Sequence, residues 1–293
     1  MTRILDGKAT SLSIEEELSK VVQDRLNRGL KRPHLAAVLV GDNPASQAYV
    51  GHKVKACSRV GFDSTLVDKP TSISQSELLR VVEELNKNSS IDGFIVQLPL
   101  PDHINDQEIL EAVLPTKDVD GFHPVNAGKM ALDLPCFLPA TPMGIMSLIE
   151  RAGIDSEGKH AVILGRSSIV GTPMALLLRR NNKPGNCTVT VCHSRTENLV
   201  EHTSRADILV AAIGRAHFVT SDMVKDGAVV IDVGINRIPD ESKKSGSRLT
   251  GDVDFESVAP KCSWITPVPG GVGPMTIASL MQNTLQACIK KDA

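Results

Sequence analysis

Aromatic residues are scarce in this chain, whose 293 residues include one Trp, one Tyr and six Phe. With so few stacking platforms, a formal net charge of −2 and no long basic run, the sequence carries no footprint for nucleic acid. Long apolar runs are missing as well. No segment approaches the ~20 residues that span a bilayer, and no charged stretch with an apolar core opens the chain, so a soluble, cytoplasmic protein with no membrane partner is expected. The six cysteines, at 57, 136, 187, 192, 262 and 288, form no C-x-x-C pair and no zinc spacing, and the eight histidines do not cluster. Free thiols in a reducing compartment fit that pattern, and nothing in it calls for a metal.

What is present is alternation. Strand-like runs at 34–41, 63–69, 92–100, 160–165, 188–193, 207–214 and 228–235 are separated by amphipathic stretches, such as 74–90 with Leu78, Val81, Val82 and Leu85 at helical spacing. This predicts an α/β fold with mainly parallel sheets covered on both faces. The length accommodates two domains. One is expected over 1–142 and the other, Rossmann-like, over 143–274, with a final helix at 275–293 packing back on the first. The polar stretch 241–248 reads as a solvated loop. No internal repeat is visible.

The segment HAVILGRSSIVGTP at 160–173 reads as strand, tight turn and helix start. Gly165 lets the backbone turn sharply so that N–H groups at the helix start face an anion, and Gly171 permits close packing. The Gly-x5-Gly spacing departs from G-x-G-x-x-G. An NAD site would end the next strand in an Asp or Glu for the ribose hydroxyls, but here that end reads His193, Ser194, Arg195. These residues suit a 2′-phosphate, with Arg166 as a bidentate partner, and favour NADP as cofactor. An ordinary strand-turn-helix with surface arginines fits the same residues.

Residues 43–61 read as a helix with Pro44 in its first turn. Ser46, Tyr49 and Lys53 fall on one arc beside the stripe of Val50, Val54 and Cys57, while His52, Lys55 and Arg59 point elsewhere. Partial desolvation there would lower the Lys53 pKa and make the amine a proton acceptor. A lysine snorkelling out beside a core-edge tyrosine has the same phase. Gln97 interrupts an apolar strand near its C-terminal end, where parallel sheets bind ligands; a structural amide is the alternative. Asp118 and Asp120 precede Gly121 in what could equally be a plain turn. In ITPVPGGVGPMT, at 265–276, apolar residues are interleaved with prolines and glycines, as in a rigid loop that meets a ligand closely.

SQAYVGHKVKAC, DGFIVQLPLP, PTKDVDGF, PATPMGIM, GRSSIVGTP, TVTVCHSRT, DVGIN and ITPVPGGVGPMT come in one order along nearly the whole chain. In that order they resemble the methylenetetrahydrofolate dehydrogenase/cyclohydrolase family of one-carbon metabolism. The resemblance implies two α/β domains flanking a cleft, NADP on the Rossmann-like domain, and folate between the two. It implies that Lys53 is catalytic, that Tyr49 stacks on the folate's aminobenzoyl group, that Gln97 positions Lys53, and that Asp120 bonds the pterin. Ser46, Val96, Leu98 and the run Pro269, Gly270, Gly271, Val272, Gly273 would border the substrate. Gly165, Arg166, Ser167, Ser194 and Ile235 would bind NADP. The implied reaction is oxidation of 5,10-methylenetetrahydrofolate by NADP+ followed by hydrolysis to 10-formyltetrahydrofolate, in a homodimer. Ala140 stands where many relatives have cysteine. The chain ends where a fused formyltetrahydrofolate synthetase would begin in multicellular organisms, so two activities are expected. The alternatives are a shikimate-dehydrogenase-like oxidoreductase and a non-catalytic NADP sensor.

Overall fold

A computed structural model describes residues 1–243 and 246–291. They fall into two compact units, one of Leu12–Ala140 with the chain from Ile277 onward, the other of Met1–Ser11 with Thr141–Thr276. Strand β1 (Arg3–Ile4) thus belongs to the second unit, and helix α1 (Gly7–Asn27) begins there. No helix among the described residues is long and apolar enough to cross a membrane.

The first unit holds a parallel sheet of β2 (His34–Val40), β3 (Asp63–Lys69) and β4 (Gly93–Val96), ordered β3-β2-β4. Central β2 is a continuous apolar run buried along nearly its whole length, whereas edge strand β3 alternates between exposed and half-buried residues. Helix α2 (Pro44–Val60) starts where Asn43 Oδ1 accepts the N–H groups of Ala45 and Ser46, with Pro44 in the first turn, and stops at Gly61 in a left-handed conformation. A capping box between Ser74 and Glu77 opens α3 (Gln75–Lys87). Its Leu78 and Val82 pack on Phe94 and on Ile109 of α4 (Asp106–Ala112), and α5 (Pro124–Ala131) follows.

The second unit holds six parallel strands in the order β1-β11-β8-β7-β5-β6. They are β5 (His160–Leu164), β6 (Thr188–Cys192), β7 (Ile208–Ala211), β8 (Val229–Asp232) and β11 (Trp264–Ile265), together with β1. An antiparallel hairpin of β9 (Asn236–Pro239) and β10 (Ser247–Thr250) stands apart. Helices α6 (Ala140–Arg151), α7 (Gly171–Leu178), α8 (Leu199–Thr203) and α9 (Phe255–Val258) connect the strands, and α10 (Val272–Lys290) closes the chain.

Several boundaries differ from the sequence reading. Residues 1–11, expected with the first domain, join the second because Arg3 and Ile4 pair with Trp264 and Ile265. Two-residue strands are too short to show a period. The stretch 241–248, expected as loop, contributes Ser247 and Arg248 to β10, paired with Pro239 and Ile238, while Lys244 and Ser245 lie outside the described residues. The last helix begins at Val272 rather than 275, and Asp292 and Ala293 of the expected helix are also outside the description.

The two sheets also repeat a pattern that the sequence hides. The carboxylate of Asp92 accepts the N–H of His34, which opens β2, and that of Asp207 accepts the N–H of His160, which opens β5, each at 2.9 Å. His34 Nε2 lies 2.8 Å from Thr65 Oγ1, and His160 Nε2 lies 2.9 Å from Thr190 Oγ1. In both units the strand carrying His is an interior one and the edge strand carrying Thr lies beside it. Lysines meet the carboxylates: Lys31 and Lys291 at Asp92, and Lys225 at Asp207. Of the six cysteines, all free, only Cys136 escapes burial.

The Lys225 hydrogen bond and the His160 N–H hold the Asp207 carboxyl below its ordinary 3.8. A depressed acid stabilises the fold above its unfolded pKa, and this contribution is lost as pH falls through the folded value. Asp207→Asn should therefore lower stability at pH 7 by about 1 kcal/mol, a small loss because the pair is partly solvated. It should also flatten the dependence of unfolding free energy on pH below about 3.8. Urea unfolding of both proteins across that range is the check, and parallel curves would contradict it.

Candidate active site

Lys53 lies on the inner side of α2 with only 5% of its surface exposed. Its Nζ donates to Gln97 Oε1 at 3.1 Å and stands 5.0 Å from the ring centroid of Tyr49, one turn earlier. The ammonium is therefore held inside the unit and does not snorkel to water. Strand β4 ends at Val96, one residue before Gln97, so the apolar run expected to continue to 100 is cut there. Gln97 is still tied to the sheet, its N–H donating to Val38 O at 2.9 Å, and its Nε2 donates to Leu98 O at 2.7 Å. With the amide nitrogen spent on a carbonyl, the amide oxygen faces Lys53. The structural and the positioning readings of Gln97 describe the same side chain.

The two aspartates of the 115–122 segment have different surroundings. Buried Asp118 takes the N–H groups of Phe122 at 3.2 Å and His123 at 2.8 Å, and Asn126 Nδ2 at 2.8 Å, which closes the turn into α5. Asp120 is half-buried, and its charge acts on Lys53. Burial lowers the Lys53 pKa and the Asp120 carboxylate opposes that fall; burial raises the Asp120 pKa and the Lys53 ammonium opposes that rise. Ser46 and Val96 are buried and Leu98 is half-buried. Val50 and Cys57 of the expected stripe are buried, Val54 is half-buried, and His52, Lys55 and Arg59 are exposed.

In the second unit Gly165 follows β5 at φ 117, and a Cβ there would strike the Ala212 carbonyl. A Cβ at Gly171 would strike the Gly165 carbonyl, so the turn closes only with glycine at both places. Ser167 Oγ accepts the Val170 and Gly171 N–H groups at 3.2 and 3.3 Å in the turn that leads into α7. Among the described residues no acceptor meets the N–H groups of residues 166–169. Arg166, Ser167, Ser194 and Arg195 are exposed, and no acid ends β6. An anion-binding turn with a cationic edge beside it suits a phosphorylated dinucleotide. Ile235, 55% exposed, lies between β8 and β9.

The run 269–273 is part turn, part helix. Gly270 has φ 107 and its carbonyl accepts the Lys8 N–H at 2.9 Å, while Gly7 packs so closely on Gly271 that a Cβ would overlap it. Pro269 follows a cis bond, Val272 is buried in the first turn of α10, and Gly273 packs near Ile235. Sequence reasoning missed the buried Asp232 and Asp252. Their signal was the neighbouring glycines, Gly234 and Gly251, at which a Cβ would collide with one or other carboxylate.

Asp120→Asn removes the charge that supports the Lys53 ammonium, so the Lys53 titration should move further down. NMR of reductively methylated protein, with Lys53→Arg to assign the signal, reads it directly. An unchanged or raised midpoint would show that the Asp120 carboxylate does not act on the amine.

Models of the tetrahydrofolate dehydrogenase/cyclohydrolase catalytic domain and NAD(P)-binding domain match residues 5–120 and 139–292. The bifunctional protein FolD of Cytophaga hutchinsonii is 61% identical over 289 residues, 99% of this chain and 100% of its own. The FolD methylenetetrahydrofolate dehydrogenase/cyclohydrolase structure from Campylobacter jejuni is 49% identical with a TM-score of 0.93, over 99% of this chain and 100% of that one. The Trypanosoma brucei enzyme, solved with NADP cofactor and inhibitor, is 36% identical with a TM-score of 0.94, over 99% and 98%. Shikimate dehydrogenase of Thermus thermophilus, at 13% identity and a TM-score of 0.53, shares the fold alone. By both domains and over nearly its full length, the chain belongs to the tetrahydrofolate dehydrogenase/cyclohydrolase family.

Proposed function

We propose that this enzyme oxidises 5,10-methylenetetrahydrofolate to 5,10-methenyltetrahydrofolate with NADP+ and then hydrolyses the product to 10-formyltetrahydrofolate. The observation that carries the reading is a buried amine, Lys53, held between an amide oxygen, an aromatic ring and the charge of a carboxylate. NADP+, when bound, supplies the carbon that accepts the hydride, and hydride transfer asks mainly for positioning. Gly165, Arg166, Ser167, Ser194 and Ile235 would hold it, with the 166–169 N–H groups and Arg166 meeting phosphate oxygens.

Hydrolysis asks for proton movement. Water adds to the amidinium carbon of the methenyl compound and loses a proton; the carbon–N5 bond then breaks as N5 gains a proton and the new hydroxyl loses its own to become the formyl C=O. An amine whose pKa is lowered by burial gives up and takes back a proton more readily than a solvated lysine, which suits Lys53 to the role of acid–base group. Gln97 keeps Lys53 in place, and Asp120 tunes it and bonds the pterin. Tyr49 would stack on the aminobenzoyl ring, beside Ser46, Val96 and Leu98. Pro269, Gly270, Gly271, Val272 and Gly273 complete the folate contacts by family resemblance. The same resemblance supports a cytoplasmic homodimer.

A single assay with methylenetetrahydrofolate and NADP+, following NADPH and methenyl absorbance separately, tests both steps. NADP+ uptake without either folate-dependent change would leave only a nucleotide sensor. Lys53→Met should cut methenyl hydrolysis by ~10²–10⁴-fold and dehydrogenation by less, so that methenyltetrahydrofolate accumulates. Hydrolysis within twofold of wild type, after correction for the spontaneous rate, would remove Lys53 from the mechanism. Arg166→Ala should weaken NADP by about 1.5–3 kcal/mol and NAD far less, as judged by kcat/KM for each. A wild-type preference for NAD would overturn the 2′-phosphate assignment.

A further inference from the structure

Two carboxylates are buried at the C-terminal edge of the six-stranded sheet, Asp232 at 3% exposure and Asp252 at 0%. Asp252 Oδ2 accepts the N–H groups of Ile213 at 2.7 Å and Gly214 at 3.0 Å, and its Oδ1 accepts those of Arg215 at 2.8 Å and Asn236 Nδ2 at 2.9 Å. Asp232 Oδ1 accepts the N–H groups of Gly234 and of Asp252 itself, and its Oδ2 accepts that of Val253, all at 2.9 Å. All four oxygens are thus used by neutral donors. Among the described residues neither carboxylate has an ion pair, and the Arg215 guanidinium sits 4.6 Å from the Phe218 ring centroid.

Such an arrangement is costly unless every oxygen is satisfied, because an ionised group has been taken out of water. Besides the N–H groups of Asp252 and Val253, the donors it gathers belong to two segments: 213–215, which leaves β7, and 234–236, which leaves β8 and contains Ile235. In an open parallel sheet a dinucleotide crosses the carboxyl ends of the strands, with its pyrophosphate at the first βα turn. Here that turn follows β5, and the cationic edge for the 2′-phosphate lies at β6 on one side of it. The nicotinamide half then falls on the other side, over β7 and β8, where the two braced segments lie.

We propose that Asp252, supported by Asp232, is a positioning residue for the nicotinamide half of the cofactor: it touches no ligand but fixes the backbone of 213–215 and ties down the Asn236 side chain, while Asp232 holds the Gly234 N–H, and that half binds against these two segments. The inference rests on the NADP reading above. Asp252→Asn keeps the shape and replaces one oxygen with a donor, which turns that side of the brace against N–H groups it previously accepted.

The test compares two ligands by calorimetry: NADP+, and 2′,5′-ADP, which carries only the adenosine half and its phosphates. Asp252→Asn should raise the Kd for NADP+ at least tenfold and change that for 2′,5′-ADP by less than twofold. Equal loss for both ligands would mark Asp252 as a general structural residue, and loss for neither would show that the brace does not reach the cofactor; either overturns the proposal. If Asp252→Asn fails to unfold cooperatively, Asn236→Ala, which removes a single side-chain donor, should weaken NADP+ about threefold with 2′,5′-ADP unmoved, and an unchanged or evenly shared effect would count equally against it. Wild-type protein that bound neither ligand would instead sink the NADP reading on which the inference stands.

Discussion

Backbone N–H groups at the ends of buried parallel strands must find acceptors, and in this chain carboxylates provide many of them. Strands covered on both faces cannot turn their first and last amides to water, so each junction with a loop needs its own partner. Asp92 and Asp207 meet this need where β2 and β5 begin. Asp118 does the same for the turn into α5, and Asp232 and Asp252 do so where β7 and β8 end. An ionised acceptor forms stronger hydrogen bonds than a neutral one, and it is correspondingly costly when unpaired. The carboxylates therefore fix loop conformations as well as tolerate burial.

Against this background Asp120 is unusual. Its neighbour Asp118 has its oxygens engaged by two backbone amides and an asparagine, whereas the charge of Asp120 is coupled to Lys53. Two aspartates two residues apart thus divide into one that builds the turn and one whose charge faces Lys53. The same division appears at Gln97, whose nitrogen is committed to a backbone carbonyl so that its oxygen can hold an amine. Local folding decides which polar atoms are spent on the backbone and which meet another side chain.

Much of this was legible in the sequence. The alternation of apolar runs gave the α/β class, and helical phase put Ser46, Tyr49 and Lys53 on one arc of α2, because a seventeen-residue helix has period enough to read. Two glycines around β5 marked a turn that only glycine can close. What stayed hidden depends on partners distant in the chain. Strands β1 and β11 have two residues each, and β1 exists only through pairing with β11 across some 260 positions. The matching His–Thr and His–Asp contacts of the two sheets lie 30–58 residues apart along the chain, on strands whose remaining residues differ. Asp232 and Asp252 looked like ordinary polar residues because their burial is set by loops that neither belongs to.

The buried thiols have a consequence for how the protein meets oxidants and electrophiles. Burial pushes Cys57 up to about 12 and Cys187, Cys262 and Cys288 up to about 11, and raises Cys192 as well. Nucleophilic sulfur chemistry runs through the thiolate, which these groups scarcely populate at neutral pH. Half-buried Cys136 is left as the one cysteine whose thiol is not buried. The other five become reactive only when their surroundings open, so the rate at which they are labelled measures opening of the elements that bury them and not the redox state of the medium.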